Sequence, residues 1–265
     1  MNGKFLLGII GAGNMATAIV KGALDSGFLF PDQILISDVS EAQLARFSDF
    51  GVITTTDNKY LSSACETLLF AVKPQSAAEI FSEIKDTITA QTVISIMAGV
   101  KLSSISKVLG QRNYVRVMPN TPALIGKGVS AVAAPSGDYG IAKRLFSALG
   151  EVVEIDEEYF DAVTSVSGSG PAYVYLFLKA MIDGGVEGGL PYEVSQKLTV
   201  CTAIGAAHML ALSDKPLDAL IDAVCSKGGT TIEAIESFKK DGLEKIVKTG
   251  IAKCRARSKE LSGNR

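Results

Sequence analysis

The sequence predicts a doubly wound, mainly parallel α/β domain followed by an all-α domain. Three observations support this fold class. Strand and helix patterns alternate in the first part, a glycine-rich turn follows the first strand pattern, and only long helical patterns occur after about Glu158. A β-α-β alternation builds a parallel sheet that helices cover on both faces. We assign residues 1–160 to the α/β domain and residues 161–265 to the helical domain.

Eight short segments of the first domain are predicted strands. Several are continuous apolar runs, which are typical of strands buried on both faces of a parallel sheet. The predicted strands are 5–10, 33–37, 52–54, 67–72, 92–97, 114–118, 129–133 and 151–155. The helical patterns that we identify between them are 15–25, 41–50, 76–87, 102–109 and 139–149.

The second domain shows helical periodicity and no convincing strand. Gly-Leu-Pro at 189–191 and Asp-Lys-Pro at 214–216 interrupt that periodicity, because Gly and Pro end or break helices. The predicted helices are 171–188, 192–213, 217–224, 230–240 and 243–261.

Composition and charge exclude several classes of partner. The 265 residues include 26 Lys and Arg against 28 Asp and Glu, without any basic block. Nucleic acid and anionic membrane surfaces are therefore poor partners. The apolar run at 5–10 is too short to span a membrane, and the glycine-rich turn behind it is not a signal-peptide cleavage site. We expect a cytoplasmic protein.

The cysteines and the single histidine form no metal-binding pattern in the sequence. Cys65, Cys201, Cys225 and Cys254 include no CxxC pair, and no histidine lies near enough in sequence to complete a cluster. We expect neither a metal site nor a disulfide framework. His208 lies in an apolar helical run, so a Ser-His-Asp mechanism would depend on this one residue, and we exclude hydrolases.

The segment GAGNMA at 11–16 follows the first predicted strand directly and opens a helix. In this GxGxxA spacing, Gly11 makes the tight turn, Gly13 lets the backbone approach a pyrophosphate, and Ala16 lets the helix pack on the strand. The free N–H groups of the helix N-terminus attract the anion. The motif predicts a dinucleotide, NAD or NADP. The alternative is a purely structural turn.

Ser37 and Asp38 end the second predicted strand, where the adenine ribose of a dinucleotide usually lies. A carboxylate there binds the 2′-hydroxyl of NAD and repels the 2′-phosphate of NADP. No Lys or Arg follows Asp38 until Arg46, so the local chemistry favours NAD. The alternative is that Asp38 only caps the helix that begins near Glu41.

Three further segments have chemistry that suits a ligand. Lys73 and Pro74 follow the fourth predicted strand, at the edge where such sheets bind ligands. The segment MPNTP at 118–122 forms a stiff loop at the same edge, and CSKGGTT at 225–231 presents N–H groups and hydroxyls to a carboxylate at a helix start. The alternatives are an ordinary surface turn, a rigid turn and an N-cap, respectively.

Together these segments resemble the pyrroline-5-carboxylate reductase family. The matching motifs are GAGNMA at 11–16, AVKP at 71–74, MPNTPALIGKG at 118–128, GSGPAY at 168–173, GAAHML at 205–210 and GGTTIEA at 228–234. They occur in the family's order and cover nearly the whole chain. The family transfers hydride from NAD(P)H to the C=N bond of 1-pyrroline-5-carboxylate and gives L-proline in the last step of proline biosynthesis. Its fold is an N-terminal Rossmann domain with a helical dimerisation domain.

The resemblance implies roles for individual residues. The cofactor-binding set comprises Gly11, Gly13, Asn14, Met15, Ala16, Asn58, Ala71, Val72, Lys73, Pro74, Met97 and Ala98, in addition to Ser37 and Asp38. The substrate-binding set is Ser226, Gly229, Thr230 and Thr231, and the Thr231 hydroxyl is the expected catalytic hydrogen bond to the ring nitrogen. In this family the loop and helix start that carry the substrate-binding residues come from the partner subunit. The resemblance thus implies a homodimer with a shared active site. Because members of the family often assemble into rings of dimers, it also implies a decamer made of five dimers.

The chain departs from the family pattern at two places. Lys227 replaces the usual Pro, and the Ser37-Asp38 segment lacks an obvious cation for the 2′-phosphate although the family commonly uses NADPH. The sequence therefore leaves NADPH and NADH open as cofactors. It also leaves open the effect of Lys227, feedback by proline and the reduction of other cyclic imines.

Two other classes fit the sequence less well. A β-hydroxyacid dehydrogenase would need a Lys and an Asn after a GxGxxxK spacing, but Val174 and Leu178 stand at those positions. A redox sensor that only binds NAD(P)H needs no imine site, and the intact GGTT helix start at 228–231 argues against it.

Overall fold

The computed structural model describes residues 5–89 and 91–263 of the chain. Contacts between Cα atoms divide them into two compact units. Unit 1 contains the described residues up to Ser169 and those from Cys254 onward, and unit 2 is Gly170–Lys253. The predicted domain boundary after residue 160 stays a prediction.

Unit 1 contains an eight-stranded sheet in the order β3-β2-β1-β4-β5-β6-β7-β8. Its strands are β1 Phe5–Ile10, β2 Ile34–Ser37, β3 Ile53–Thr55, β4 Cys65–Phe70, β5 Thr92–Ser95, β6 Tyr114–Met118, β7 Gly128–Ala133 and β8 Gly150–Glu154. The first six are parallel, β7 is antiparallel to β6, and β8 is parallel to β7. The predicted doubly wound, mainly parallel sheet is confirmed, with strand ends shifted by at most two residues.

Short helices lie between the strands of unit 1 and after its last strand. They are α1 Asn14–Asp25, α2 Glu41–Leu44, α3 Asn58–Ala64, α4 Ala77–Ile84, α5 Leu102–Leu109, α6 Gly140–Ser147 and α7 Phe160–Val163. The predicted helix at 41–50 is wrong in its second half, because the chain tightens into a 3₁₀ segment at Ala45–Phe50 and ends at Gly51 with φ +67°. Helix α3 was not predicted, although its N-cap Asp57 accepts a hydrogen bond from the Tyr60 N–H at 2.9 Å.

The apolar strands bury side chains on both faces of the sheet. Ile9, Ile36 and Leu69 belong to one core cluster, whereas Leu35 and Leu68 belong to the other. Each is fully buried, and such burial contributes about 1.5–3 kcal/mol per side chain. The continuous apolar runs that predicted a parallel sheet therefore pack side chains into two core clusters. This packing fixes the positions of the strands and of their ends.

An ion pair between a buried arginine and a half-buried glutamate joins the sheet to the segment after β8. The Arg116 side chain on β6 lies 2.9 Å from Glu157, which also accepts the Leu102 N–H at 2.8 Å. Burial lowers the pKa of Arg116, and the Glu157 carboxylate opposes this shift. Asp161 accepts hydrogen bonds from Ser258 at 2.6 Å and from Ser262, so the last turns of the C-terminal helix pack on unit 1.

Unit 2 is helical. Its helices are α8 Gly170–Glu187, α9 Tyr192–Ala211, α10 Leu217–Asp222, α11 Thr230–Lys240 and the first part of α12 Leu243–Gly263. The predicted all-α architecture of this region is confirmed. Helices α8 and α9 pack together, and the Ser195 hydroxyl on α9 donates to the Ile182 carbonyl on α8 at 2.8 Å.

Helix α8 exposes large apolar side chains in the single chain. Leu176 is 71% exposed and Tyr175 is 63% exposed, while Ile182 is the buried apolar residue of this helix. A helix that is apolar all round is normally covered by protein. None of the helices in the described part of the chain is both long and apolar enough to cross a bilayer. Exposed apolar side chains of this size, as on α8, mark an interaction surface.

The Glu157→Ala substitution should destabilise the fold strongly. It leaves the Arg116 guanidinium, which is 5% exposed, without its carboxylate partner. Leaving a buried charge without its partner costs up to about 3–5 kcal/mol. Urea denaturation monitored by circular dichroism measures the free energy of unfolding. The neighbouring exposed Glu158 provides the control, since Glu158→Ala should change that free energy by about 0.5 kcal/mol or less. Equal stability of the two variants would contradict the structural role of this pair.

Candidate active site

The glycine-rich turn connects β1 to α1 and packs closely against the residues that follow β4. Gly11 has φ +104°, and a Cβ there would lie 2.7 Å from the Ala71 carbonyl oxygen, so only glycine fits. Ala16, in the first turn of α1, is fully buried. No atom lies within 4 Å of a Cβ built on Gly13, so the space above this residue is open. The turn therefore packs tightly against β4 and stays accessible at the start of α1.

A cavity of about 690 Å³ opens beside this turn, at the carboxyl ends of β1, β2 and β4. Its lining includes Gly11, Gly13, Asn14, Ser37, Asp38, Asn58, Ala71, Val72 and Lys73, which the sequence had assigned to cofactor binding. It also includes Ile10, Val39, Gln43, Arg46, Ser76, Glu79, Ile80 and Glu83, which the sequence had not assigned. The position agrees with the general rule that ligands bind doubly wound sheets outside the carboxyl ends of the strands.

Five residues of the predicted cofactor set lie outside this lining. Met15 and Ala16 are within α1, and Pro74 begins a 3₁₀ turn after Lys73. Met97 is buried just after β5, and Ala98 beside it is exposed. The cofactor role of all fourteen residues in the predicted set stays a prediction.

Asp38 links the glycine-rich turn to the loop after β2. Its Oδ2 accepts the Ala12 N–H at 2.8 Å, and its Oδ1 accepts the Ser40 N–H at 2.9 Å. The side-chain cap of α2 is Ser40, which accepts the Gln43 N–H at 3.4 Å. Asp38 therefore does not cap α2 itself. Both of its oxygens instead bind backbone donors of the two loops that border the cavity.

Asn58 is held at both ends of its amide. The Ser37 hydroxyl donates to Asn58 Oδ1 at 2.7 Å, and Asn58 Nδ2 donates to Glu83 Oε2 at 2.8 Å. Asn58 and Ser37 are buried. The amide therefore cannot rotate freely, and its remaining N–H is held in one orientation. Glu83 was missed by sequence reasoning because it lies 25 residues from Asn58 and has no motif of its own.

Arg46 reaches the same cavity from the 3₁₀ segment after α2. Its Nη2 donates to Asn14 Oδ1 at 3.0 Å, and its Nη1 donates to Gln43 Oε1 at 2.8 Å. Arg46 and Asp38 therefore line the same cavity, although the chain has no cation between them in sequence. The turn from β2 into the short α2 brings a residue eight positions later back to the same opening.

The GGTT segment lies in unit 2 and forms a tight turn before α11. The Gly229 N–H donates to the Ser226 carbonyl at 2.9 Å, and a Cβ on Gly229 would lie 2.3 Å from Ser226 Oγ. Gly229 is the N-cap of α11 and has no side-chain cap. Ser226 and Thr230 are exposed, and Thr231 is half-buried. The turn thus presents hydroxyls at a helix N-terminus that favours anions.

Comparison with known proteins shows the family. Residues 157–261 match the family model of pyrroline-5-carboxylate reductase dimerisation, and residues 6–99 match that of coenzyme F420-dependent NADP oxidoreductases. The chain is 36% identical to pyrroline-5-carboxylate reductase of Pisum sativum over 99% of its length and 98% of that protein. This chain belongs to the pyrroline-5-carboxylate reductase family. The corresponding Escherichia coli K12 protein is 35% identical, over 97% of this chain and 98% of its own.

Solved structures of pyrroline-5-carboxylate reductases also share the fold. The Plasmodium falciparum crystal structure with NADP bound has a TM-score of 0.89 at 28% identity and covers 99% of this chain and 100% of its own. The Coxiella burnetii structure has a TM-score of 0.88 at 32% identity, with 99% of both chains covered. The predicted family, the predicted fold class and an NAD(P)H-dependent oxidoreductase are thereby confirmed.

The remaining polar candidates of this pyrroline-5-carboxylate reductase family member are not among the residues that line the cavity. Burial raises the pKa of Cys65 to about 12, and Cys201 and His208 are exposed on α9. Asn120 accepts the Val129 N–H at 3.0 Å, which fixes the MPNTP loop to β7. Within residues 5–89 and 91–263, no group of three His, Cys, Asp or Glu side chains is placed to hold a metal ion.

The Glu83→Ala substitution should weaken NAD(P)H binding about tenfold, because Asn58 loses the charged acceptor that fixes its amide. Titration of the reduced cofactor by its fluorescence measures the dissociation constant. Glu83→Gln keeps an acceptor and should restore most of the affinity. Glu79→Ala is the matched control, since it removes a carboxylate from the same cavity. Equal weakening by Glu83→Ala and Glu79→Ala would indicate a charge effect and contradict the orienting role.

Proposed function

We propose that this chain reduces the C=N bond of 1-pyrroline-5-carboxylate with hydride from NADPH or NADH and forms L-proline, the last step of proline biosynthesis. The observation that carries this proposal is the open glycine-rich turn at the 690 Å³ cavity of unit 1. It occurs in a chain that matches pyrroline-5-carboxylate reductases over 99% of its length.

The cavity suits a dinucleotide on grounds of shape and charge. The space above Gly13 leaves room for a pyrophosphate, and the N-terminus of α1 directs free N–H groups toward it. Lys73 and Asn58 supply further polar contacts along the wall. Met97 and Ala98 are proposed to lie beside the nicotinamide half. The bound cofactor supplies the hydride, and the chain supplies its position.

The GGTT turn suits a substrate carboxylate. Ser226, Gly229 and Thr230 surround an uncapped helix N-terminus, where an anion is stabilised by the helix dipole. Thr231 offers its hydroxyl to the ring nitrogen. Lys227 adds a positive charge to the same turn, and we propose that it strengthens the attraction for the carboxylate.

The reaction needs little acid–base assistance from the protein. A protonated cyclic imine is already electrophilic at carbon, and the product nitrogen keeps its proton when hydride is added. Holding the two reactants in alignment can lower such a barrier by about 7–11 kcal/mol. A chain whose single histidine is exposed on α9 can therefore catalyse this step by positioning alone.

We propose that the working enzyme is a homodimer whose active site combines the cofactor cavity of one subunit with the GGTT turn of the other. Two observations support association of two copies of the chain. Residues 157–261 match the family model of the dimerisation domain, and α8 exposes large apolar side chains. A ring of five such dimers is the proposed larger assembly. The proposed location is the cytoplasm.

The steady-state rate with 1-pyrroline-5-carboxylate tests the function directly. Oxidation of NADPH or NADH should depend on the added imine, and the product should be proline. A protein that binds the cofactor but oxidises neither NADPH nor NADH in the presence of this imine would contradict the proposal and favour a redox sensor.

The Thr231→Ala substitution should lower kcat/KM roughly tenfold or more, because the hydroxyl that contacts the ring nitrogen is lost. The dissociation constant of the cofactor should be unchanged. Thr231→Ser keeps the hydroxyl and should retain most of the activity. Unchanged kinetics in Thr231→Ala would remove this residue from the active site.

A further inference from the structure

The cavity contains a cation whose charge is not neutralised by a neighbouring carboxylate. The Arg46 guanidinium donates to Asn14 and Gln43, and both acceptors are neutral amides. In the part of the chain that the structure describes, Arg46 forms no ion pair. Arg46 is exposed at the opening, between the start of α1 and the loop after β2. An anionic ligand there would meet a full positive charge.

The backbone on either side of Arg46 is anchored in the core. Leu44 is 7% exposed and Phe47 is fully buried, so the turn that carries Arg46 packs firmly on unit 1. Its outward position follows from this packing, because buried residues one and two positions away face the opposite side. The guanidinium is therefore presented to the cavity by a fixed segment.

Asp38 does not present a free carboxylate to the cavity. Each of its oxygens already accepts a backbone N–H, from Ala12 and from Ser40. In NAD-selective sites of this fold, the acidic residue at this position binds the ribose 2′-hydroxyl. Here each carboxylate oxygen already accepts one backbone N–H, and these two donors offset part of the negative charge that Asp38 brings to the cavity lining.

We propose that Arg46 recognises the 2′-phosphate of NADPH and that this chain selects NADPH over NADH. This inference rests on the proposed function, because it assumes that the adenosine half of the cofactor occupies the cavity. A planar guanidinium can donate two parallel hydrogen bonds to a phosphate and is well suited to this contact. Glu79 and Glu83 also line the cavity, but Glu83 is bonded to Asn58. Arg46 is the specificity-determining residue in this account.

Nucleotides without a nicotinamide test this assignment without catalysis. Isothermal titration should show that the full chain binds adenosine 2′,5′-bisphosphate about tenfold to a hundredfold more tightly than 5′-AMP. Arg46→Gln keeps hydrogen-bonding capacity toward Asn14 and Gln43 but lacks the charge. This variant should lose that preference while its affinity for 5′-AMP stays within about threefold. Arg257→Ala removes another exposed arginine outside the cavity lining and should bind as the wild type.

Two results would overturn the assignment. One is equal binding of the two nucleotides by the wild type. The other is equal weakening of both nucleotides by Arg46→Gln, which would mean that Arg46 only supports the start of α1. If Arg46→Gln fails to fold, Arg46→Lys keeps the charge and should retain most of the preference, which should decrease as salt increases. Failure to bind NADPH and NADH alike would contradict the proposed function itself.

Discussion

The hydrogen bond between the Ala12 N–H and the Asp38 carboxylate, at 2.8 Å, holds the candidate site together. It joins the turn after β1 to the loop after β2, and the Gly11 N–H adds a second link to the Ser37 carbonyl at 2.7 Å. Gly11 in turn packs against the Ala71 carbonyl after β4. The ends of three neighbouring strands are thus fixed around one opening, and the cavity depends on that arrangement.

This rigidity fits a reaction that depends on position more than on acid–base chemistry. The Ser37–Asn58–Glu83 hydrogen bonds hold one wall, and Arg46 lies at the opening of the cavity. Unit 2 contributes a different kind of surface, with an uncapped helix start at Gly229 and an exposed apolar helix α8. A hydride-transfer enzyme can work with a single histidine, because alignment of cofactor and substrate supplies much of the rate enhancement.

The sequence predicted the sheet well because burial on both faces leaves continuous apolar runs, as in Leu68 and Leu69 of β4. It missed α3, whose seven residues are too few for a clear periodic pattern. It also misjudged the 41–50 region, where the helix tightens into a 3₁₀ segment at Ala45–Phe50. Propensity does not report such local changes in winding.

The glycine-rich turn was predictable because the local backbone conformation and packing explain the residue type at Gly11, Gly13 and Ala16. The partners of Asp38 and Asn58 were not, because they are set by side chains from separate elements that only the folded sheet brings together. Arg46 shows the same limit, since its approach to Asn14 spans 32 residues of sequence. The local pattern at 225–231 predicted only a carboxylate site at a helix start, whereas the individual roles of Ser226 and Thr231 came from the family resemblance and stay proposals.

Transfer of a labelled hydride tests the central claim most directly. The enzyme would be supplied with reduced cofactor that carries deuterium at the transferred position of nicotinamide C4, together with 1-pyrroline-5-carboxylate, and the product would be examined by mass spectrometry and NMR. We expect proline with one deuterium at the former imine carbon for each cofactor molecule oxidised. Cofactor oxidation without deuterated proline would contradict hydride transfer from the bound nicotinamide to this substrate.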